Sequence, residues 1–180
     1  FPEQQAILTL RGPWKVKFDP LWGGPGEVVL EELLDWAIHP DDGIRYYSGT
    51  AIYTIDFDLP EGVEISRKEA FYLDLGEVFC LARVKLNGRD QGIVWTKPAR
   101  VRLSGIKKRG NHLEIEVANL WINRLVGDEN EPWDGVVNGQ WPEWLLTGSP
   151  RPTRRLTFTT HRLYRQGDPL VPSGLLGPVR

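Results

Sequence analysis

"TAIYTIDFDL", residues 50–59, reads with a period of two. Ala51, Tyr53, Ile55, Phe57 and Leu59 fall on one side, while Thr50, Thr54, Asp56 and Asp58 fall mostly on the other. Alternation of this kind gives a strand one dry face and one wet face, as in an antiparallel sheet packed on one side. The same period recurs outward from this stretch. "WKVKFD" (14–19) sets Trp14, Val16 and Phe18 against Lys15, Lys17 and Asp19. "FYLDL" (71–75) aligns Phe71, Leu73 and Leu75, and "HLEIEV" (112–117) sets Leu113, Ile115 and Val117 against glutamates. "RVKL" (83–86) and "RVRL" (100–103) turn Val84, Leu86, Val101 and Leu103 inward, and "RLTFTT" (155–160) offers Leu156 and Phe158.

Turn chemistry separates these runs. Asn87-Gly88 between "VKL" and "GIVW" is the strongest hairpin signal, and "LPEG" (59–62) and "KKRGN" (107–111) close other reversals. At least seven short strands result, and the expected fold is all-β: an antiparallel β-sandwich of jelly-roll type. Two segments depart from it. "EVVLEELLDW" (27–36) reads as a strand and then a helical turn, and "WPEWLLTG" (141–148) as a short helix opened by Pro142 and stopped by Gly148. Neither a repeat nor a linker is visible, so residues 1–180 read as one module.

Strand parity places the loops. The chain reverses at each antiparallel strand, so the Asn87–Asp90 hairpin lies at one end of the sandwich and Trp95–Pro98 at the other. Tyr46, Tyr47 and everything after Val117 share the Trp95 end. That end receives an irregular stretch, "NLWINRLVGDENEPWDGVVNGQWPEWLLTG" (119–148), which holds Trp121, Trp133, Trp141 and Trp144.

Composition narrows the function. A net charge of −2 argues against a dedicated nucleic-acid partner, and the Lys107–Arg109 and Arg151–Arg155 clusters read as solvated surface. Apolar runs fall short of a membrane span. Cys80 is the single cysteine, so neither an internal disulfide nor a Cys-based zinc site can form. The sequence opens on Phe1 and has no methionine, which reads as an excerpt or a processed product. His39, His112 and His161 lack metal-ligand spacing. "GDENE" (127–131) offers a run of oxygens to a structural calcium ion, although surface loop is the stronger reading and no cofactor is expected. Glycoside hydrolysis needs two facing carboxylates roughly 5–10 Å apart. Asp128, Glu129, Glu131, Asp134 and Glu143 crowd one loop with no barrel around them, so a solvated acidic loop is expected instead.

"YYSGTAIY", "YLDLGEV", "VKLNGRDQGIVWTKPARV", "LEIEVANLWINRLVGDE", "PEWLLTGSPRP" and "PSGLLGPVR", in this order, resemble the carboxy-terminal β-sandwich of bacterial family 106 glycoside hydrolases, the α-L-rhamnosidase-like enzymes. That module is similar in turn to the sugar-binding domain of family 2 glycosidases. The resemblance runs from about Leu10 to the last residue. It implies a galactose-binding-like fold, a catalytic site on a separate barrel domain of a parent enzyme, and a secreted or periplasmic bacterial setting. Sugars stack apolar C–H faces on flat rings and pair their hydroxyls with polar side chains. Trp95, Lys97, Asn119, Trp121, Asn123, Arg124, Asp128 and Trp133, with Tyr46 and Tyr47, offer that mixture at one end. The expectation is a non-catalytic module that weakly binds a plant-type polysaccharide or oligosaccharide. The alternative is a structural module that packs on the parent catalytic domain without binding glycan. A stand-alone glycosidase working through the acidic loop is a third reading.

Overall fold

A computed structural model describes residues 6–66 and 70–180. Ten strands run through them: β1 (Trp14–Lys17), β2 (Glu27–Leu30), β3 (Thr50–Phe57), β4 (Phe71–Asp74), β5 (Glu77–Phe79), β6 (Leu81–Leu86), β7 (Arg89–Val94), β8 (Arg100–Leu103), β9 (Asn111–Ala118) and β10 (Gly174–Gly177). The stretch that begins the sequence reading forms the centre. β3 pairs antiparallel with β9 in unbroken register, from Thr50↔Ala118 to Phe57↔Asn111. The order β2-β1-β3-β9-β6-β7 makes one six-stranded layer.

The second layer is assembled from β4–β8 and β5–β10. The last residues of the chain join them. Gly174–Gly177 runs antiparallel to β5, and Arg180 then exchanges two backbone hydrogen bonds of 2.9 Å with Asp74, next to β4. Leu10 N–H donates to Val179 C=O on the other side. "PSGLLGPVR" is thus an internal strand of this layer.

Side chains alternate into the space between the layers as the period of two predicts. Trp14, Val16, Phe18, Ala51, Tyr53, Leu73, Leu75, Val84, Leu86, Leu113, Ile115 and Val117 are buried. Tyr53 lies parallel to Trp36 at 6.3 Å, and its hydroxyl accepts Trp36 Nε1–H at 2.6 Å and Leu175 N–H at 3.3 Å. The two layers are therefore tied by a polar contact inside an apolar core, where an unpaired group would be costly.

Two expectations change. "EVVLEELLDW" gives β2 as expected, but its helical turn is only a 3-10 turn, Trp36–Ile38, begun by the Asp35 carboxylate accepting Ala37 N–H. "RLTFTT" forms no strand. Its buried residues are Arg155 and Thr157, with Leu156 and Phe158 only half-buried, because the guanidinium and hydroxyl meet buried carboxylates and so win the inward positions.

The parity argument holds. Across β9–β6–β7 the registers Val117↔Ala82 and Ala82↔Val94 put Trp95 beside the Ala118 end of the sheet. Asn87 lies at the opposite end, where its side-chain Oδ1 accepts His112 N–H at 2.9 Å. Asn87 and Gly88 both have positive φ, 52° and 77°, as a two-residue type I′ hairpin turn requires.

Ile115 is fully buried on the central strand, opposite Tyr53 and Val84. Ile115→Ala is expected to cost ~2–5 kcal/mol in urea unfolding. Val29→Ala on the exposed edge strand should stay within ~0.5 kcal/mol. Equal effects would contradict the inward assignment of the period-two residues.

Candidate functional site

Thr50, Ala118 and Trp95 mark one end of the sandwich, and three short helices crowd it or follow from it: α1 (Asp42–Arg45), α2 (Ile122–Asp128) and α3 (Glu143–Thr147). The structure divides the ten expected site residues by how their polar atoms are used.

Several are consumed by the fold. Tyr47 is fully buried, and its hydroxyl accepts Asp19 N–H at 3.1 Å and donates to Thr50 C=O at 3.0 Å. Asn119 donates to Tyr47 C=O at 2.8 Å and accepts Gly49 N–H at 3.0 Å. Asn123, also fully buried, donates to Val171 C=O and accepts Val171 N–H, at 2.8 and 2.9 Å. The two asparagines also donate to Ser173 Oγ, so they pin the return of the chain into β10. Asp128 is buried and accepts Leu156 N–H, Thr157 N–H and Thr157 Oγ1–H at 3.0, 2.7 and 2.6 Å. Arg124, one helical turn before it, holds Nε 3.0 Å from Asp128 Oδ1 in an ion pair without hydrogen-bond alignment. Tyr46 is half-buried beneath the Arg45 and Arg124 guanidiniums. The expectation that these groups face a ligand is corrected for Tyr47, Asn119, Asn123 and Asp128: their hydrogen-bonding capacity satisfies buried backbone instead.

Of the acidic-loop carboxylates, Glu143 stays exposed as expected, but Asp128, Glu129, Glu131 and Asp134 are not solvated. Glu129 accepts from Arg155 at 2.6 Å and lies 3.4 Å from Arg162. Glu131 meets Arg154 at 3.1 Å. Asp134 is gripped by Arg151 through two bonds of 2.5 and 2.8 Å and by Thr153 Oγ1–H at 2.6 Å, with Arg155 at 3.8 Å. Within the Arg151–Arg155 cluster, Arg151 and Arg155 are accordingly not solvated surface, Arg155 being only 4% exposed, whereas Arg154 stays exposed as expected. Trp133 lies against Arg155 and Arg162, whose guanidiniums are 5.0 and 5.4 Å from its ring centroid. Trp144 lies under Arg151 at 5.0 Å and donates its indole N–H to Asp134 C=O at 3.0 Å. Trp133 donates to Val136 C=O. Both rings therefore staple the loop, although Trp133 was expected among the ligand-facing residues.

Burial pulls the Asp134 carboxyl upward, while Arg151, Thr153 and the Arg155 charge together outweigh it and hold the group below its ordinary value. That is the reverse of what a general acid needs. Among the described residues no three His, Cys, Asp or Glu side chains come together to hold a metal ion. The "GDENE" carboxylates face guanidiniums rather than one another.

Four tryptophans remain open, Trp22, Trp95, Trp121 and Trp141. Trp95 is 77% exposed, and two residues on, Lys97 pairs with Glu77 at 3.2 Å. Trp121 is 48% exposed and meets the ring of Trp22 edge-on at 5.4 Å, with Leu21 and Leu120 exposed beside them in sequence. Trp22 is the last residue of a 3-10 turn, Pro20–Trp22, capped by Asp19. Trp141 is 51% exposed and stacks on Phe158 at 5.8 Å. It follows a second Asn-Gly reversal, Asn138-Gly139, with φ of 52° and 78°, a signal legible in the sequence but not used above.

Removing one partner from a buried ion pair leaves the other charge unpaired, at ~3–5 kcal/mol. Arg155→Ala is expected to destabilise by that order in chemical denaturation. Protonation should act the same way. The folded pKa of Asp134 is depressed, so its stabilisation is complete above the ordinary carboxylate pKa near ~4 and is lost as pH falls through the lower folded value. Tryptophan emission should therefore shift red below about pH 4, and Asp134→Asn should remove part of that step. An unchanged acid transition in Asp134→Asn would contradict the role given to this carboxylate.

No family model matches the chain. Over 178 residues, 96% of the chain, it is 38% identical to a protein of Formosa agariphila provisionally named a beta-glucuronidase. A rhamnosidase from Novosphingobium sp. PP1Y superposes over 100% of the chain with a TM-score of 0.80 and 35% identity. The chain spans about 15% of the length of each. A beta-glucuronidase of Ruminococcus gnavus matches 66% of the chain at a TM-score of 0.51 and 24% identity, a likeness of fold alone. The resemblance to the β-sandwich module of rhamnosidase-like glycoside hydrolases is borne out, in that the chain matches a small part of much larger glycosidases.

Proposed function

We propose that the chain is an accessory β-sandwich of a rhamnosidase-type glycoside hydrolase and packs through its Trp22–Trp121 face against the remainder of that enzyme. One observation carries this reading. At the tryptophan-rich end the polar side chains are spent on internal bonds, while Leu21, Trp22, Leu120 and Trp121 stay exposed together. A neighbouring set of large apolar groups with few free polar partners suits a protein contact better than a polyol. Relatives several times longer than the chain supply a partner of the right kind. The unit 1–180 is then one module of a multi-domain chain. The setting this implies is a secreted or periplasmic bacterial enzyme; no described helix is long and apolar enough to cross a membrane.

A second reading, weak binding of a plant-type polysaccharide or oligosaccharide at the same end, is supported by Trp95. Its ring is exposed and the Lys97–Glu77 pair follows close behind in sequence. Trp121→Ala separates the two readings. In the docking reading it lowers the melting temperature of the full-length enzyme by several degrees and leaves that of the 180-residue chain within about a degree. If both melt unchanged, the face is not a domain contact.

A further inference from the structure

The loop that the ion pairs hold in place carries a second aromatic surface, separate from the Trp22–Trp121 face. A trough of about 460 Å³ is lined by Trp133, Gln140, Trp141, Pro142, Trp144 and Thr153 among others. Neither Trp22, Trp95 nor Trp121 lines it. Its volume falls within the range of small-molecule sites, roughly 300–1,000 Å³.

Each wall is fixed by a named contact. Phe158 backs Trp141 with rings nearly parallel, 17° apart, and meets Trp144 edge-on at 6.0 Å. Trp144 is tethered by its indole N–H to Asp134 C=O, and Thr153 by its hydroxyl to the Asp134 carboxylate. The Val137–Gln140 reversal delivers Trp141 to the rim. The trough is thus pre-organised, and little ordering entropy remains for a ligand to offset.

The charge state of the lining selects the ligand. Asp134 and Arg151 neutralise each other, and Arg151 lies over the Trp144 ring. The Asp134 carboxylate is engaged by Arg151 and Thr153, so the pair carries no net charge toward the trough. Among the described residues the exposed Gln140 side-chain amide has no hydrogen-bond partner, so it offers both a donor and an acceptor at the rim beside the exposed Trp141 ring. A flat, backed indole with a neutral amide next to it fits a ligand with an apolar face edged by hydroxyls. We infer that this trough is a carbohydrate subsite that takes a neutral pyranose, its C–H face stacked on Trp141 and a hydroxyl paired with Gln140. This gives the carbohydrate reading a site of its own, and the docking reading stands or falls separately.

The test uses the 180-residue chain in affinity gels that contain neutral galactan, mannan, xylan or glucan, with a uronic-acid polymer as the anionic comparison. Retention is expected in at least one neutral gel. Trp141→Ala should weaken it about tenfold or more, by analogy with base stacking on aromatic rings. Gln140→Ala, at an exposed position outside every ion pair, should weaken it severalfold with the melting temperature unchanged. Trp141→Tyr should restore part of the loss, and Trp95→Ala and Trp121→Ala should leave retention intact. No retention in any neutral gel would overturn the inference. So would loss of retention in Trp95→Ala with none in Trp141→Ala and Gln140→Ala, which would move the sugar to the Lys97–Glu77 end. Retention confined to the uronic-acid gel would overturn the neutral class.

Discussion

The buried contact between Asp134, Arg151 and Arg155, continued through Glu129, is the constraint on which the tryptophan-rich end depends. Ordering an irregular backbone costs ~1–2 kcal/mol per residue, and this stretch has no continuous apolar face to bury in return. Charged groups take over that role. Asp128 meets Arg124 of its own helix, Glu129, Glu131 and Asp134 meet guanidiniums of the chain that runs past them, and the flat faces of Arg151, Arg155 and Arg162 lie on Trp144 and Trp133. Arginine suits this better than lysine because its planar group pairs with a carboxylate and stacks on a ring at once.

Function follows from what these contacts leave over. A sugar site at the end of the sandwich would need free amides and carboxylates beside an exposed ring. Asn119, Asn123 and Asp128 instead hold the chain on its way to β10, so that the last residues enter the second layer in register. What the end presents outward is mainly rings and leucines around Trp22 and Trp121, which is the surface the docking proposal rests on. Along the loop the balance differs. At the trough an uncommitted amide stands beside an exposed, backed ring, so the two ends of one stretch are suited to different contacts.

The sheet was legible from the sequence because a period of two reports burial directly. Tyr53, Ile115 and Val84 needed no partner information to be assigned inward. The family resemblance was legible for the related reason that "NLWINRLVGDE" and "PSGLLGPVR" carry contacts specific to this architecture: Asn119, Asn123 and Asp128 in one, Ser173 and the closing strand in the other. Side-chain use in the loop was not legible. An aspartate that will be buried against an arginine some 20 residues later looks, in sequence, like one in water. "RLTFTT" misled for the same reason: its apolar residues keep a period of two, but Asp128 and Glu129 claim Thr157 and Arg155 and reverse the inward face.

Hydrogen exchange, compared between the 180-residue chain and the full-length enzyme, tests the central claim most directly. The account predicts that amides of Leu156 and Thr157, bonded to the buried Asp128 carboxylate, exchange slowly in both. It predicts that Leu21, Trp22, Leu120 and Trp121 gain protection only in the full-length enzyme. Fast exchange at Leu156 and Thr157 in both proteins, or no change at Trp22 and Trp121 between them, would contradict it.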